Sequence, residues 1–176
     1  PDVVYSAQDS VLYRSVDGGR TWIKAFTFVE ISAVYVQPTS PSTVFVGAWR
    51  EGSLAGIYKS VDGGATWTQP LSASVHIFVN HFAASDAHPS TLYASTYGGI
   101  YRSDDAGEHW EELSSPRAED SHLSQEISVL LIDPADKTTP EVGGFDYAYP
   151  DYSPLAPFFR KSADAGETWS DLSAGL

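Results

Sequence analysis

One eight-residue phrase occurs four times in this chain of 176 residues. It reads Ser15-Val16-Asp17-Gly18-Gly19-Arg20-Thr21-Trp22, then Ser60-Val61-Asp62-Gly63-Gly64-Ala65-Thr66-Trp67. It returns as Ser103-Asp104-Asp105-Ala106-Gly107-Glu108-His109-Trp110 and as Ser162-Ala163-Asp164-Ala165-Gly166-Glu167-Thr168-Trp169. The shared pattern is Ser-x-Asp-x-Gly-x-(Thr/His)-Trp. A long sequence period means a stacked or radial array of supersecondary units, each covering its neighbour's apolar face.

The phrases start 45, 43 and 59 residues apart. The first two intervals suit a four-stranded propeller blade, which takes about 40–50 residues. The third carries an insertion. The second unit shows the parts: Ile31–Val36, Thr43–Gly47, Gly56–Ser60 and Thr66–Thr68 read as short strands rich in β-branched and aromatic residues. Pro, Ser and Gly punctuate them, as strand-and-turn chemistry requires. The third unit repeats the order at Val79–Ser85, Thr91–Ser95, Gly99–Arg102 and Trp110–Leu113. The fourth has Ile127–Ile132, Val142–Tyr147, Phe158–Lys161 and Trp169–Leu172, with extra loop expected at 114–126 and 146–157. The first opens at Val3–Ser6, which matches the second strand of later units, so its innermost strand is missing.

The expected fold is therefore all-β: a β-propeller of about four four-stranded antiparallel blades, the first one strand short. The expected organisation is a single propeller segment over 1–176, with repeats at about 1–28, 29–73, 74–115 and 116–176. Closure of a propeller hides strand edges. Fifteen strands do not fill four blades, so the chain is expected to be part of a larger propeller, with a free-standing four-bladed ring as the alternative. It has no Met, even at position 1, so it is expected to begin after a processing or truncation point, with any export signal out of view.

Physically, the phrase suits the hairpin between a blade's third and fourth strands. Gly accepts positive φ in such a turn. The Asp carboxylate accepts hydrogen bonds from backbone N–H groups a few residues on, and the Ser hydroxyl acts locally in the same way. The Trp offers a large apolar face to fill the wedge between strands or blades. A calcium loop needs several oxygen ligands in alternate positions, and this phrase supplies one or two. Catalysis needs different residues converging, not one residue repeated. The sixteen recurring positions are thus expected to be structural: Ser15, Asp17, Gly19, Trp22; Ser60, Asp62, Gly64, Trp67; Ser103, Asp105, Gly107, Trp110; Ser162, Asp164, Gly166, Trp169.

The formal net charge is −13, which repels nucleic acid and anionic membrane surfaces. Neither is an expected partner. No apolar run approaches the ~18 residues of a membrane span, so no membrane insertion is expected. With no Cys, disulfides, thiolate metal sites and cysteine nucleophiles are excluded. His76, His81 and His122 show no short ligand spacing, and no metal or cofactor is expected.

The phrases closely resemble the Asp-box, or BNR, repeat, and the resemblance spans essentially the whole chain. It implies a propeller with the boxes at the blade periphery, opposite the usual ligand face. Families with this repeat include sialidases, xyloglucan-cleaving glycoside hydrolases, sortilin-type receptors and a photosystem II assembly propeller. Sialidases use an arginine triad. Here Arg14, Arg102 and Arg160 fall at third-strand positions before the phrases, as does Lys59, and read as repeat-position surface residues. Tyr93-Ala94-Ser95-Thr96-Tyr97-Gly98-Gly99-Ile100-Tyr101-Arg102 is similar to the xyloglucan enzymes' Tyr-Ala-x-Thr-Asp-x-Gly-Gly-x-Tyr-Arg phrase. The catalytic Asp that the resemblance implies is absent, and Tyr97 falls near its place. Sortilin-type receptors need a cysteine-rich region, and the photosystem factor a basic patch; this chain offers neither.

On a propeller, loops before the first strand and between the second and third share one face. Here they hold Phe28, Glu30, Trp49, Arg50, Glu51, His76, Asn80, His81, Tyr97, Arg117, Glu119, Asp120, His122, Glu126, Asp146, Tyr147, Tyr149, Asp151 and Tyr152. Aromatic platforms beside carboxylates suit sugar rings, and paired carboxylates about 5–9.5 Å apart suit glycoside hydrolysis. The candidate ligand face is Trp49, Glu51, Tyr97, Glu126, Asp146, Tyr147, Tyr149 and Tyr152. The expected function is a non-catalytic recognition or scaffold module of an exported protein (extracellular, periplasmic or on the cell surface). Its expected partners are a carbohydrate or another protein, and the rest of a larger propeller chain. The alternative is a fragment of a glycoside hydrolase with catalytic acids partly outside the chain. A third reading is a purely structural array.

Overall fold

The structure is a computed structural model that describes residues 2–50, 55–72, 78–85, 87–96, 99–113, 123–133, 139–148 and 153–174. The described elements are all strands. The first sheet is β1 (Val4–Gln8), β2 (Val11–Ser15) and β3 (Ile23–Thr27). The second is β4 (Glu30–Val36), β5 (Val44–Trp49), β6 (Gly56–Ser60) and β7 (Thr68–Ser72). The third is β8 (Val79–Ser85), β9 (His88–Thr96), β10 (Ile100–Ser103) and β11 (Glu111–Glu112). The fourth is β12 (Leu123–Ile132), β13 (Pro140–Ala148), β14 (Ser153–Lys161) and β15 (Ser170–Asp171). Each sheet pairs its strands antiparallel in chain order, one with three strands and three with four. The three-stranded sheet is the first, as its missing innermost strand predicted.

The chain divides into two compact units, Pro1–Val79 and Asn80–Leu176. In the first, the core joins Leu12, Phe28, Val44, Val46, Ala48 and Tyr58, with Phe26 and Trp67 packed against them. Phe28 meets Tyr58 and Trp67 edge-on, at 5.3 Å between ring centroids in both pairs. In the second, Tyr93, Ile100, Leu113, Ile127, Leu130, Val142 and Phe158 form the core, with Trp169 against it. Each large side chain so buried contributes about 1.5–3 kcal/mol.

The repeated phrase builds the same turn four times. Each Ser hydroxyl donates to the Asp two residues on, at 2.7–2.8 Å. The same oxygen accepts the Gly N–H four residues on, at 2.7–2.9 Å. The Asp then accepts from the Thr21, Thr66 or Thr168 hydroxyl and the same residue's N–H. In the third copy His109 takes over: its Nδ1 lies 2.6 Å from Asp105 Oδ2, and its N–H donates to Oδ1. Facing a carboxylate, Nδ1 carries the proton. The four Ser side chains are buried, at 1–2 % exposure.

The glycine in the phrase has two reasons to be glycine. Gly64 and Gly166 sit at φ +94° and +96°, where an L side chain is strained. A Cβ on Gly166 would also stand 2.4 Å from Leu113 Cδ1, and one on Gly64 3.1 Å from Ala25 Cβ.

Three expectations are corrected. Lys59 and Arg160 are not surface residues; they are 5 % and 6 % exposed. Their cationic groups lie over the rings of Phe45 and Phe158, at 5.6 and 5.0 Å from the centroids. A long stem on apolar surface with its charge over an aromatic face makes such burial tolerable. Phe28 is not on a loop surface but in the core, 3 % exposed. Within the lengths expected as loop in the fourth unit, residues 123–126, 146–148 and 153–157 are strand: β12 starts at Leu123, β13 runs on to Ala148 and β14 starts at Ser153. Among the described residues, β15 pairs only with Arg160 and Lys161, so the Ser153–Pro157 stretch of β14 is a sheet edge there. Proline's missing N–H costs little there.

Candidate functional site

The recurring aspartates are the most repeated titratable groups, and their surroundings define what they can do. Asp17, Asp62 and Asp164 are lowered to about 2, first by the Thr side-chain hydrogen bond and next by the Thr N–H. Asp105 is also lowered, first by the His109 N–H and then by the His109 side chain. An effective general base is poised near the working pH. A carboxylate held this low, with both oxygens engaged by its own turn, is a poor one.

The candidate ligand face divides between described and undescribed residues. Glu51, Tyr97, Tyr149 and Tyr152 lie outside the described residues, as do His76, Arg117, Glu119, Asp120, His122 and Asp151. Glu126, Asp146 and Tyr147 are described as backbone only. Glu126 stands inside β12 rather than in a loop. The register pairs Glu126 with Phe145, Gln125 with Asp146 and Ser124 with Tyr147. Glu126 and Asp146 are thus one step apart along the ladder, not cross-strand partners. A bulge interrupts the β13–β14 register between Asp146 and Tyr147.

In the first unit the face is built around Trp49. It ends β5, is 37 % exposed, and stands opposite Glu30 at the start of β4. Its carbonyl accepts the Val29 N–H at 2.7 Å, which fixes the strand end under the ring. Exposed Arg50 follows, with its guanidinium 5.1 Å from the Phe26 ring centroid. Trp49 and Glu30 are thus cross-strand partners at one sheet end, with Arg50 next in the chain. In the second unit His81 is exposed on β8, while half-buried Asn80 donates to the Ile127 carbonyl at 3.3 Å. Asn80 thus ties β8 to β12.

A second concavity was not legible from repeat positions. Ser6, Gln8, Tyr13 and Trp22 line a hollow of about 340 Å³ on the first sheet. Trp22 is 42 % exposed, whereas Trp67, Trp110 and Trp169 are half-buried.

No helix among the described residues is long and apolar enough to cross a membrane. No family model matches the chain. No curated protein matches it either. Among solved structures, the chain is similar to the Niastella koreensis GH74 enzyme, with TM-score 0.77 and 22 % identity over 97 % of this chain and 27 % of that one. It is similar to the GH74 xyloglucanase from Xanthomonas campestris, with TM-score 0.70 and 19 % identity over 97 % and 28 %. An ancestral GH74 enzyme gives TM-score 0.77 and 13 % identity over 99 % and 24 %. The chain spans about a quarter of the length of these enzymes. At such identities the likeness concerns fold, and the fold is that of antiparallel β-propeller blades.

Proposed function

We propose that this chain is an Asp-box propeller segment, with repeats at about 1–28, 29–73, 74–115 and 116–176, that serves as a non-catalytic recognition module of an exported or surface protein. Its ligand is a glycan, taken up on the loop-rich face that includes Trp49, Glu51, Tyr97, Glu126, Asp146, Tyr147, Tyr149 and Tyr152. The observation that carries the reading is Trp49: an exposed indole at a strand end, opposite Glu30 and followed by Arg50. The apolar face of a sugar ring stacks on an indole, while its hydroxyl rim needs charged or polar neighbours. The phrase aspartates are spent on their own turns, which supports a structural role for all sixteen repeated positions.

The likeness to GH74 enzymes favours a second reading, in which the chain is one part of a larger glycoside hydrolase propeller. Tyr97 near the place of the acid in the xyloglucan-type phrase argues against catalysis from that blade. One neighbour is named a xyloglucanase, which makes xyloglucan oligosaccharides the first probes. A glycan array run beside a reducing-sugar release assay tests both readings. Binding without release supports recognition; release supports the hydrolase; neither sinks both.

A further inference from the structure

We propose that Asp104 and Arg102 pin the third sheet to the fourth: Asp104 positions Arg102, and Arg102 holds the fourth phrase turn by the carbonyl of Ala165. This goes beyond the recognition reading and rests on none of its residues. The residue just before each phrase Ser is a cation: Arg14, Lys59, Arg102 and Lys161. Register sets an aromatic ring opposite the first three, namely Tyr5, Phe45 and Tyr93, and Glu141 opposite the fourth. Within each compact unit, the cation and ring of one sheet reach the turns of the next. In the first unit, a Cβ on Gly63 would stand 3.1 Å from Arg14 Cζ, and the Tyr5 hydroxyl donates to the Pro41 carbonyl at 3.2 Å. In the second unit, Arg102 Nη1 and the Tyr93 hydroxyl both donate to the Ala165 carbonyl, at 3.5 and 3.4 Å.

The second unit adds a group that the first lacks. The second place of the phrase holds exposed Val16 and Val61 in the first two copies and Asp104 in the third. Asp104 Oδ1 accepts from the buried Thr91 hydroxyl at 3.0 Å, and Oδ2 accepts from Arg102 Nη2. One oxygen is thus anchored to β9 and the other to the guanidinium. The planar fork then leaves Nη1 aimed at the fourth turn, with its rotamer already fixed. The Asp104 hydrogen bond raises the Arg102 pKa, and the charge of Glu167, on the fourth turn, adds to the effect. Ala165 stands at φ +60°, where a non-glycine residue persists only if its surroundings hold it. The hydrogen bonds to its carbonyl supply such a hold from the neighbouring sheet.

The joint between these two sheets therefore has two polar pins. Asn80 ties β8 to the Ile127 carbonyl of β12, the first strands of their sheets. The Arg102 clamp ties β10 to the turn that links β14 and β15. Gly166 also lies against Leu113 there, but that contact is apolar and carries no direction. The clamp adds the directed contact, and so governs how readily the fourth turn opens by itself. Proteins open locally in units whose cost is far below that of global unfolding.

Amide hydrogen exchange of the full chain, read residue by residue by NMR, tests this. Asp104→Val gives the third phrase the residue that the first two carry. It is expected to speed exchange of the Gly166 and Thr168 N–H groups by about fivefold or more. The Gly64 and Thr66 N–H groups, which make the same bonds in the second turn, are expected to exchange as in the wild type. Arg102→Gln gives the same pattern, and Asp104→Val adds nothing further in that background. Asp104→Asn keeps an acceptor for Arg102 and restores most of the protection. Unchanged exchange at Gly166 and Thr168 in Asp104→Val overturns the proposal. So does equal acceleration in both turns, which marks a general loss of stability, or full additivity of the two substitutions. Near-UV circular dichroism checks the fold. If Asp104→Val unfolds, Arg102→Lys keeps the charge, loses the planar fork and is read at the same amides. Glycan binding is read separately at Trp49, so failure here leaves the recognition reading untouched.

Discussion

Ser60 shows how much one buried hydroxyl can carry. It donates to Asp62 and accepts from the Gly64 and Asp62 N–H groups, all within the same turn. Removing it strands a buried N–H, which costs about 1–3 kcal/mol. Ser60→Ala is therefore expected to lose about that much stability in urea unfolding, and a loss below the measurement error would contradict the assigned network. The aspartates make the turns pH-dependent. A carboxylate whose folded pKa is depressed contributes stability above its unfolded value of about 3.9. That stability is lost as pH falls through the folded value, about 2 for Asp17, Asp62 and Asp164. Tm should thus carry this contribution intact at neutral pH and lose it between about pH 4 and pH 2. Asp62→Asn should flatten that limb of the Tm profile; an unchanged limb contradicts the assignment. The Ser, Asp and Gly roles were all legible in the sequence, because their partners are two to four residues away. Burial of Lys59 and Arg160 was not, because their aromatic supports, Phe45 and Phe158, are set by sheet register and side-chain packing rather than by the phrase.

At the scale of strands, both faces of the second sheet's middle are covered: β5 and β6 are buried along nearly their whole length. The sequence shows this as Val44-Phe45-Val46-Gly47-Ala48, a run without polar alternation, which is the mark of a strand buried on both faces. Gly56 opens β6 where it crosses β7, and a Cβ there would stand 2.0 Å from the Leu71 carbonyl oxygen. A backbone oxygen cannot swing aside, so Gly56→Ala must separate the strands. An overpacking cost of about 3 kcal/mol is expected in denaturant unfolding. Trp67 and Trp22 fill the same place in their phrases but in different surroundings. Trp67→Ala should cost about 3 kcal/mol or more, and Trp22→Ala under about 1. Equal costs would mean that the two tryptophans are packed alike. Strand order was legible from turn punctuation, whereas the lengths of β13 and β14 were not. Pro154 and Pro157 fall in a stretch expected as loop, and the short pairing of β15 reveals an edge that admits proline.

At the scale of the whole chain, the repeat determines the fold and leaves the chemistry to what is not repeated. Three of the sheets are complete and the first is one strand short, a count that the phrase spacing already contained. The proposed ligand face was read as a set of loops rich in aromatics and acids. Its geometry was not, since which loop residues meet depends on register, as Glu126 standing inside β12 shows. The central claim is recognition without catalysis at the face that includes Trp49. The most direct measurement is isothermal titration of the chain and of Trp49→Ala with xyloglucan oligosaccharides, with reducing-sugar release followed on the same samples. The account predicts a binding isotherm for the wild type, at least tenfold weaker binding for Trp49→Ala, and no sugar release from either, about 1.4 kcal/mol being the smallest loss that a stacked ring should give. Sugar release by the wild type, or binding unchanged by Trp49→Ala, would contradict it.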